Sequence, residues 1–317
     1  MELSFRLAEA SDIDEVIKLS DGIYNGHDYL PVVFHQWLQM EHTDIMLAHS
    51  GSKLIGLASS CIVDDGRTLI HRANRILPEL RGQGLLRNLS RALDEYIQEN
   101  FPKVSLQRLN AFADLSSKAI NPYRRVLEQE ILSYRVEKKT STWEQPLITE
   151  SAKLQINSCT REYLSDVILS PTMIKRLFPH NVLLFDWCPF EPRRSNVDLI
   201  QREHDLHLFV DKCSVDVWPS SFSHGIYAQR VKAVEWQATV YTDDPHHFEA
   251  HLLHQYKCAC ELIHGKFTFF TFQDKSMTAV ARRVLEDKLQ LEMVNVYNNE
   301  IMKVYERGFP LNRMGDA

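Results

Sequence analysis

Residues 67–89 constrain the fold most strongly, because they read as a strand that turns sharply into a helix. Pro78 ends the strand, and the run 81–84 (Arg-Gly-Gln-Gly) leads into a helix with apolar residues at helical spacing. Two glycines around one residue let backbone amides approach a ligand closely. The helix N-terminus behind them favours a phosphate, because it carries unpaired amides and the positive end of the helix dipole. The alternative is an ordinary tight turn without a ligand.

The order strand, proline, glycine turn and helix resembles the signature of the GNAT acetyltransferases, Arg/Gln-x-x-Gly-x-Gly/Ala. In that family the turn holds the pyrophosphate of acetyl-CoA, and the splayed strand pairs with the pantetheine arm. The resemblance therefore implies acetyl-CoA as co-substrate. The cofactor-binding residues that it implies are Ile76, Leu77, Arg81, Gly82, Gln83, Gly84, Leu85 and Leu86. Leu86 departs from the usual Gly or Ala, and its side chain either crowds the cofactor or packs on the helix.

Composition excludes several other classes of protein. The 317 residues, 44% hydrophobic and 25% charged, are typical of a globular chain of about two domains. A net charge of −6 argues against a nucleic-acid or anionic-membrane partner. No apolar run approaches the ~20 residues that span a bilayer, and the N-terminus is unlike a signal peptide. Six cysteines without metal-ligand spacing indicate reduced thiols, so we expect a cytoplasmic protein without a metal.

Hydrophobic periodicity in the first half predicts the order β-α-α-β-β-β-α-β-α-β, which is the GNAT order. The predicted strands are Leu3–Ala8, Asp44–Ser50, Lys53–Val63, Thr68–Leu77, Val104–Ala113, Ile131–Glu137 and Thr140–Glu144. The predicted helices are 9–20, Phe34–Met40, Gln83–Gln98 and Ser116–Leu127. The sequence therefore predicts a mixed α/β sheet in a GNAT N-acetyltransferase domain over residues 1–146.

Residues 23–31 and 34–38 resemble the corresponding segment of the histidine N-acetyltransferase and vertebrate N-acetyltransferase 16 group. In that group acetyl moves from acetyl-CoA to the α-amino group of a free amino acid. The resemblance implies a small-molecule amine acceptor, with histidine expected. The loop 21–31 is either a lid or acceptor wall, or a surface loop pinned by two buried rings. The substrate-binding candidates are Tyr24, His27, Asp28, Tyr29 and Arg72.

The resemblance also suggests groups for the chemistry. A backbone amide near Ile76 or Leu77 would polarise the acetyl carbonyl, and a tyrosine, here Tyr123, would stand by the sulfur. Tyr123 is otherwise a packing residue with its hydroxyl at the surface. Asn110, on the preceding strand, either faces the cofactor arm or merely ends the strand.

The general base is not identified by the sequence. Relatives often have a glutamate on the central strand where this chain has Arg72, and an arginine stays charged and cannot accept a proton. Arg72 either binds the carboxylate of an amino-acid acceptor or is an ion-paired strand residue. His71 faces the opposite way unless a bulge intervenes. His27, Asp28 or a water chain remain as candidates.

Residues 150–310 are predicted to form a second, GNAT-like domain without catalytic function, an unrelated α/β layer being the alternative. Its main predicted elements are helix 163–177, strands 182–187, 206–210 and 233–241, a helix to about 264, strand 266–272, helix 276–288, and strands 291–297 and 301–305. Asp243 and Asp244 stand where a phosphate turn would be, and these acids would repel a pyrophosphate.

Two further patterns in this half have plain structural interpretations. His247, His251, His254 and Cys258 share one helical face, but the order lacks His-Glu-x-x-His, so a hydrogen-bonded face is favoured over zinc. The phenylalanines of 267–272 are typical of a core strand rather than a platform for bases.

Three functions remain open from the sequence. The first is acetyl transfer to a free amino acid such as histidine. The second is a catalytically weak GNAT-like protein that binds CoA or a partner without turnover, which Arg72 and Leu86 favour. The third is acetylation of a protein N-terminus or lysine, which needs an open groove.

Overall fold

The chain folds as two α/β units, which the computed structural model describes over residues 2–112, 115, 123–137, 154–213, 217–297 and 300–309. The first unit comprises the residues up to Val126 together with those from Val304 onward, and the second comprises Leu127–Lys303. The predicted boundary between residues 146 and 150 differs from this division. The difference arises because the strand Ile131–Glu137, predicted for the first domain, pairs with residues 266–272 of the second unit. In addition, the chain returns to the first unit from Val304 onward, which no local pattern signals.

The first unit is a twisted mixed sheet with helices on it. Its strands are β1 (Ser4–Leu7), β2 (Thr43–Ser50), β3 (Lys53–Val63), β4 (Thr68–Ile76) and β5 (Leu106–Ala111). Neighbouring strands run antiparallel except β4 and β5, which are parallel, and the C-terminal strand Ile301–Gly308 lies beside β5. Its helices are α1 (Ile13–Leu19), α2 (Leu30–Gln39) and α3 (Leu85–Asn100), with short 3₁₀ turns at Ala10–Asp12, Ile23–Gly26 and Pro78–Leu80.

Each helix of this unit buries an apolar stripe. On α3 the buried residues recur at helical spacing, and they pack on residues of β2, β3 and β4. Those buried residues are Leu85, Leu89, Leu93 and Ile97. On α2 the buried residues Leu30, Phe34 and Trp37 pack in a separate cluster that includes Ala73 of β4. The strand β4 is therefore covered by helical residues from both layers.

The second unit repeats the main strands of the first unit and contains additional short strands and helices. Its strands are β6 (Arg124–Glu137), β7 (Asn157–Ser158), β8 (Leu183–Phe185), β9 (Cys188–Phe190), β10 (Leu206–Val210), β11 (Phe222–Gln229), β12 (Val234–Tyr241), β13 (Lys266–Gln273) and β14 (Glu292–Met293). Its α-helices are α4 (Arg161–Tyr163), α5 (Pro171–Leu177), α6 (Val197–Glu203), α7 (Pro245–Leu262) and α8 (Thr278–Arg282). Short 3₁₀ turns lie at Arg194–Asn196 and Lys275–Met277, and π-helical turns at Leu164–Ile168 and Arg283–Lys288.

The strand order in this unit is β6-β13-β12-β11-β10-β7. β7, β10, β11 and β12 run antiparallel to one another in turn, and β12 is parallel to β13 with α7 between them. This matches β1, β2, β3, β4, α3 and β5 in order and direction. The predicted fold class, a GNAT fold followed by a second GNAT-like domain, is confirmed.

Some predicted elements were wrong. Residues 124–127 are not the end of a helix but the start of β6, because their backbone pairs in the sheet, and Tyr123 before them is not helical. Residues 116–122 of the predicted helix and the predicted strand 140–144 lie outside the described residues. The predicted strand 291–297 is reduced to Glu292–Met293, paired with β6. Strand β11 and helix α6 were missed.

Candidate active site

A β-bulge in β4 sets the geometry of the candidate site in the first unit. Ser59 of β3 pairs with Arg72, but Leu57 pairs with Arg75, so β4 carries one extra residue between these pairs. Ala73 in the bulge has φ +45°, which is unusual for a residue with a Cβ. The bulge reverses the alternation of the strand. Arg72 and Arg75, three residues apart, consequently both approach the layer of α2.

Arg75 is the centre of the group of residues that surrounds the predicted acceptor loop. It is 5% exposed, and its Nη2 lies 2.8 Å from Oδ1 of Asp28. Its guanidinium lies over the rings of Tyr24 and Tyr29, at 5.5 and 5.4 Å from the centroids. Burial opposes the charge, yet Tyr29 and Asp28 hold the pKa of Arg75 above its usual value. Removing Asp28 would leave this cation buried without its carboxylate.

The same contacts assign structural roles to Asp28 and Tyr29. Oδ1 of Asp28 also accepts from the backbone N–H of Leu30, at 3.2 Å, at the start of α2. The hydroxyl of Tyr29 accepts from the backbone N–H of Ala73, at 3.1 Å, and so holds the bulge. Oδ1 of Asp28, a predicted candidate for the base, is therefore held by Arg75 and Leu30, whereas its Oδ2 is buried without a hydrogen-bond partner among the described residues. His27 lies half-buried beside it in the same loop.

Arg72 is buried next to this group. Its guanidinium lies 4.9 Å from the ring centroid of Trp37 in α2, and Tyr29 stacks obliquely on that ring at 5.7 Å. The two strand arginines and three aromatic rings thus form one cationic, aromatic wall. Of the predicted substrate-binding residues, Tyr24, Asp28, Tyr29 and Arg72 belong to this wall or hold it in place. Sequence reasoning missed Arg75, although its type and its spacing from Arg72 were visible.

The predicted phosphate turn has the backbone that a ligand-binding turn needs. Gly82 and Gly84 have φ of +79° and +77°, where residues with a Cβ are strained. An added Cβ at either glycine would meet no atom within 4 Å, so the space beside the turn is open. Gly84 caps α3 without a side chain, and the first amides of a helix have no partners within it. The turn therefore fits a phosphate group.

The residues around the turn are placed as follows. Nε of Arg81 donates to the carbonyl oxygen of Ile76, at 3.1 Å, which ties the turn to the end of β4. The side-chain amide of Gln83 lies 3.4 Å from the carbonyl of Glu79 at the surface. Leu85 is buried against the core, whereas Leu86 is 40% exposed. Leu86 therefore does not pack into the helix interface.

The end of β4 distinguishes Ile76 from Leu77. The backbone N–H of Leu77 donates to the carbonyl of Ile55, at 3.0 Å, so it is already used. Because bonded and non-bonded pairs alternate along antiparallel strands, the N–H of Ile76 is directed away from β3. On that side β5 pairs with β4 only from Thr68 to Ile70. The two parallel strands diverge beyond Ile70, and the amide of Ile76 faces the gap.

Tyr123 lies in a polar cluster on the α3 side of the sheet. Its hydroxyl donates to Oε1 of Gln107 in β5, at 3.1 Å. The side chain of Gln107 also contacts His71, whose Nε2 lies 3.3 Å from Oδ1 of Asp94 in α3. Burial, together with nearby Asp94, raises the pKa of Tyr123 to about 12, although Arg307 acts in the opposite direction. The hydroxyl therefore keeps its proton at neutral pH, as a proton donor must.

The C-terminal strand completes this cluster. The guanidinium of Arg307 lies 4.2 Å from the ring centroid of Tyr123 and bonds to Oε1 of Gln107. The ring of Tyr305 packs edge-on against Tyr123, at 6.3 Å between centroids. Sequence reasoning missed His71, Gln107 and Arg307 as neighbours of Tyr123. Asn110 lies half-buried near the end of β5.

The corresponding region of the second unit is built differently. β12 pairs with β13 from Glu235 to Thr239, nearly to the end of β12, so the strands barely diverge. Oδ1 of Asp244 accepts from the amides of His246 and His247, at 2.7 and 3.0 Å, and caps α7. The carboxylate occupies the amides that a phosphate would need.

The predicted histidine face of α7 is an internal hydrogen-bonded layer. His251 is fully buried, and its ring nitrogens lie 2.8 and 2.9 Å from the hydroxyls of Ser223 and Ser221. Gln255 continues the layer to Ser223 and to the indole N–H of Trp236.

The described residues contain no group of three or more His, Cys, Asp or Glu placed to hold a metal ion. None of the helices in the described parts of the chain is both long and apolar enough to cross a membrane.

Solved structures with the same fold are similar to both units of this chain. A tandem GNAT protein from the clavulanic acid biosynthesis pathway superposes with a TM-score of 0.58 at 11% identity, covering 97% of this chain and 98% of that one. The chain is a tandem GNAT-fold protein. In its first unit the glycine turn joins β4 to α3, next to the strands that diverge after Ile70.

Sequence comparisons add a closer resemblance for this tandem GNAT protein. The family description "Histidine N-acetyltransferase, C-terminal" matches residues 153–274. A histidine N-acetyltransferase of Scomber australasicus is 30% identical over 220 residues, covering 66% of this chain and 65% of that protein. The "Probable N-acetyltransferase 16" of Homo sapiens is 29% identical over 212 residues, covering 62% of this chain and 56% of that protein. The predicted resemblance to this group is confirmed, and the matches span less than two thirds of these relatives' length.

Proposed function

We propose that this protein is an acetyl-CoA-dependent N-acetyltransferase that acetylates the α-amino group of a free amino acid, with histidine the first acceptor to test. The observation that carries the proposal is the open glycine turn at the N-terminus of α3, next to strands that diverge after Ile70. The similarity to histidine N-acetyltransferases supports both the activity and the acceptor. We place the activity in the cytoplasm.

The first unit would hold acetyl-CoA through its backbone. The amides around Gly82 and Gly84 would bind the pyrophosphate oxygens. The N–H of Ile76, directed into the gap between β4 and β5, would donate a hydrogen bond to the acetyl carbonyl and stabilise the charge that develops there. Asn110 would contact the cofactor arm along β5. Leu77 contributes packing rather than its amide, because that amide is bonded to Ile55.

Tyr123 would donate its proton to the departing sulfur. Its raised pKa keeps the hydroxyl protonated, and Gln107 and Arg307 fix the position of the ring. The acceptor carboxylate would bind Arg72 in the aromatic wall, since a guanidinium can contact both carboxylate oxygens. Tyr24 and Tyr29 would line the acceptor side of that wall. With Asp28 committed to Arg75, His27 is the side chain that we propose for removing the amine proton.

A second candidate is a GNAT-like protein that binds CoA without turnover. Arg72 favours it, because a cation stands where relatives often have a glutamate base. The exposed side chain of Leu86 favours neither reading, since it lies outside the helix interface on the open side of the turn.

The deciding experiment measures thiol released from acetyl-CoA with a panel of free amino acids and a lysine-bearing peptide. Turnover with histidine and not with the peptide supports the proposal. If no acceptor reacts but acetyl-CoA raises the melting temperature, the second candidate is correct. Turnover with the peptide alone would indicate a protein acetyltransferase. If acetyl-CoA neither reacts nor stabilises, the role of the glycine turn is wrong.

Two variants then test the assigned residues. Tyr123→Phe should lower kcat by ~100-fold, the usual size of a lost proton donor, and leave the KM for acetyl-CoA unchanged. Tyr96→Phe, on α3 of the same unit, is its control. Arg72→Gln should raise the KM for the amino acid more than it lowers kcat, while Arg91→Gln on the exposed face of α3 should change neither. Equal kinetics for Tyr123→Phe and Tyr96→Phe would remove Tyr123 from the mechanism.

A further inference from the structure

The second unit contains a cavity that the proposed acetyl transfer does not use. It measures about 410 Å³ and lies at the carboxyl ends of β12 and β13, between these ends and the segment that follows α5. Open α/β sheets bind ligands at the carboxyl ends of their strands, and this volume is within the ~300–1,000 Å³ of small-molecule sites. The position and the size therefore suit a small ligand.

Opposite charges line this cavity without neutralising each other. Arg176, in the last turn of α5, and Asp243, after β12, both contribute to the lining. Neither has a salt bridge or side-chain hydrogen bond to another of the described residues. The cavity wall thus offers one guanidinium and one carboxylate that a ligand with both charges can satisfy together.

A buried amide also lacks a partner. Gln129 of β6 lines the cavity and is only 6% exposed. Its Oε1 is buried and has no hydrogen-bond partner within the described part of the chain. A buried polar atom without a partner is costly, so a ligand with an N–H group would favour a conformation of Gln129 that turns Oε1 toward the cavity.

Apolar and aromatic side chains form another part of the lining. The rings of Phe178 and Tyr241 meet edge to face, with centroids 4.8 Å apart, and Val182 and Val240 lie beside them. The hydroxyl of Tyr241 accepts from the backbone N–H of Leu184, at 2.9 Å, which fixes the ring. A ring or a branched aliphatic side chain would pack against this surface.

The same surroundings disfavour a CoA phosphate. Asp244 already satisfies the first amides of α7, and Asp243 and Asp274 add negative charge at the cavity. Asp274 in turn accepts from Ser276, whose backbone N–H lies 2.9 Å from Oδ1. A phosphate would meet carboxylates here and find no free helix amides.

We propose that this cavity is a non-catalytic binding site for a zwitterionic α-amino acid with an aromatic or branched apolar side chain. The carboxylate would pair with Arg176, the ammonium would pair with Asp243 and donate to Gln129, and the side chain would pack on Phe178 and Tyr241. The proposal does not depend on acetyl transfer in the first unit.

The test is a methyl NMR titration of the full chain, labelled at Val and Leu, with L-phenylalanine, L-leucine and L-histidine. Saturable shifts of the Val182 and Val240 methyls are expected with at least one of these amino acids. The N-acetyl derivative and the amide of that amino acid, each lacking one charge, should bind at least about tenfold more weakly, as for one lost charge-assisted hydrogen bond.

Four variants locate the binding. Arg176→Gln and Asp243→Asn should each weaken it about tenfold or more, while Lys175→Gln, the exposed neighbour on α5, should not. Arg72→Gln should leave these methyl shifts unchanged, which separates this cavity from the acceptor site of the first unit. The proposal is overturned if none of the three amino acids gives saturable shifts up to roughly 10 mM, a weak-binding limit. It is also overturned if Arg176→Gln and Lys175→Gln bind alike.

Discussion

The helices α3 and α7 hold the same place in their repeats but begin in different ways. α3 begins at Gly84, which has no side chain and a φ of +77°, so its first amides remain open to a ligand. α7 begins at Asp244, whose carboxylate accepts hydrogen bonds from the first amides of α7, those of His246 and His247. The residue before the helix, glycine in the first unit and aspartate in the second, therefore decides whether the first helix amides can bind an anion or are already hydrogen-bonded within the protein.

The parallel strands beside the two helices differ in the same sense. β4 separates from β5 after Ile70, six residues before β4 ends, and the bulge at Ala73 lies in the separated part. β12 remains paired with β13 to Thr239, two residues before its end. A ligand arm can lie between the strands of the first unit and not between those of the second. The two units thus share a topology but differ at the position of the candidate site.

The inner faces of the helices also differ. α3 buries leucine and isoleucine alone, whereas α7 buries His251 and Gln255 in a layer with Ser221 and Ser223. In the second unit, hydrogen bonds that require a neutral His251 therefore take the place of part of the apolar interface under the helix.

The largest effect is expected when the aspartate cap of α7 is introduced at the start of α3 in the first unit. Gly84→Asp should weaken acetyl-CoA binding by ~100-fold or more, because a carboxylate would occupy the amides and repel the pyrophosphate. Both Asp and Asn tolerate the left-handed backbone, so Gly84→Asn separates charge from shape and should lose less. Isothermal titration calorimetry with acetyl-CoA measures both. Wild-type affinity in Gly84→Asp would show that the helix start does not bind the cofactor.

The second test uses acid to single out the second unit. Burial lowers the pKa of His251 to about 3, against a value near 6.5 in an unfolded chain. Below about pH 6.5 the unfolded chain binds the extra proton, so the free energy of unfolding falls as the pH drops, by up to about 1.4 kcal/mol per unit. Burial also lowers the pKa of His224 to about 3, which adds to this dependence.

His251→Gln should remove one proton's share of that pH dependence, measured by urea unfolding at pH 7.5 and pH 5. It should also be less stable than wild type at pH 7.5, because the serine contacts are imperfectly replaced. The control is His246→Gln on the exposed side of α7. If both variants keep the full pH dependence, the buried layer is not its source.

The smallest effect is expected when the Asp244 cap of α7 is removed. Asp244→Ala should lower the free energy of unfolding by about 1 kcal/mol, the usual cost of a lost N-cap. Asp243→Ala, next to it but not a cap, should change it by less than about 0.5 kcal/mol. Neither variant should gain acetyl-CoA binding, because β12 and β13 stay paired. A gain in Asp244→Ala would mean that the cap alone closes the second unit.

Local sequence signals were sufficient for much of the first unit. Glycine at positions 82 and 84 predicts a turn because few other residues adopt a positive φ. The helical spacing of the leucines predicts α3. The bulge could not be predicted from the sequence, because alanine is not a residue type that commonly adopts a positive φ, and Ala73 has a φ of +45°. Arg75 was missed since its role depends on Asp28, 47 residues earlier in the chain.

Local sequence signals predict most elements of the first unit, the glycine turn of the first repeat and the acids at the start of α7, since each depends on residues close in the chain. Which strand completes which unit follows from the tertiary structure, because strand pairing depends on contacts between distant residues. The tertiary structure places Arg307 of the C-terminal strand against Tyr123, and Glu306 against Arg108, 198 residues away. It also places Arg176 and Asp243 around one cavity, which no sequence pattern indicates.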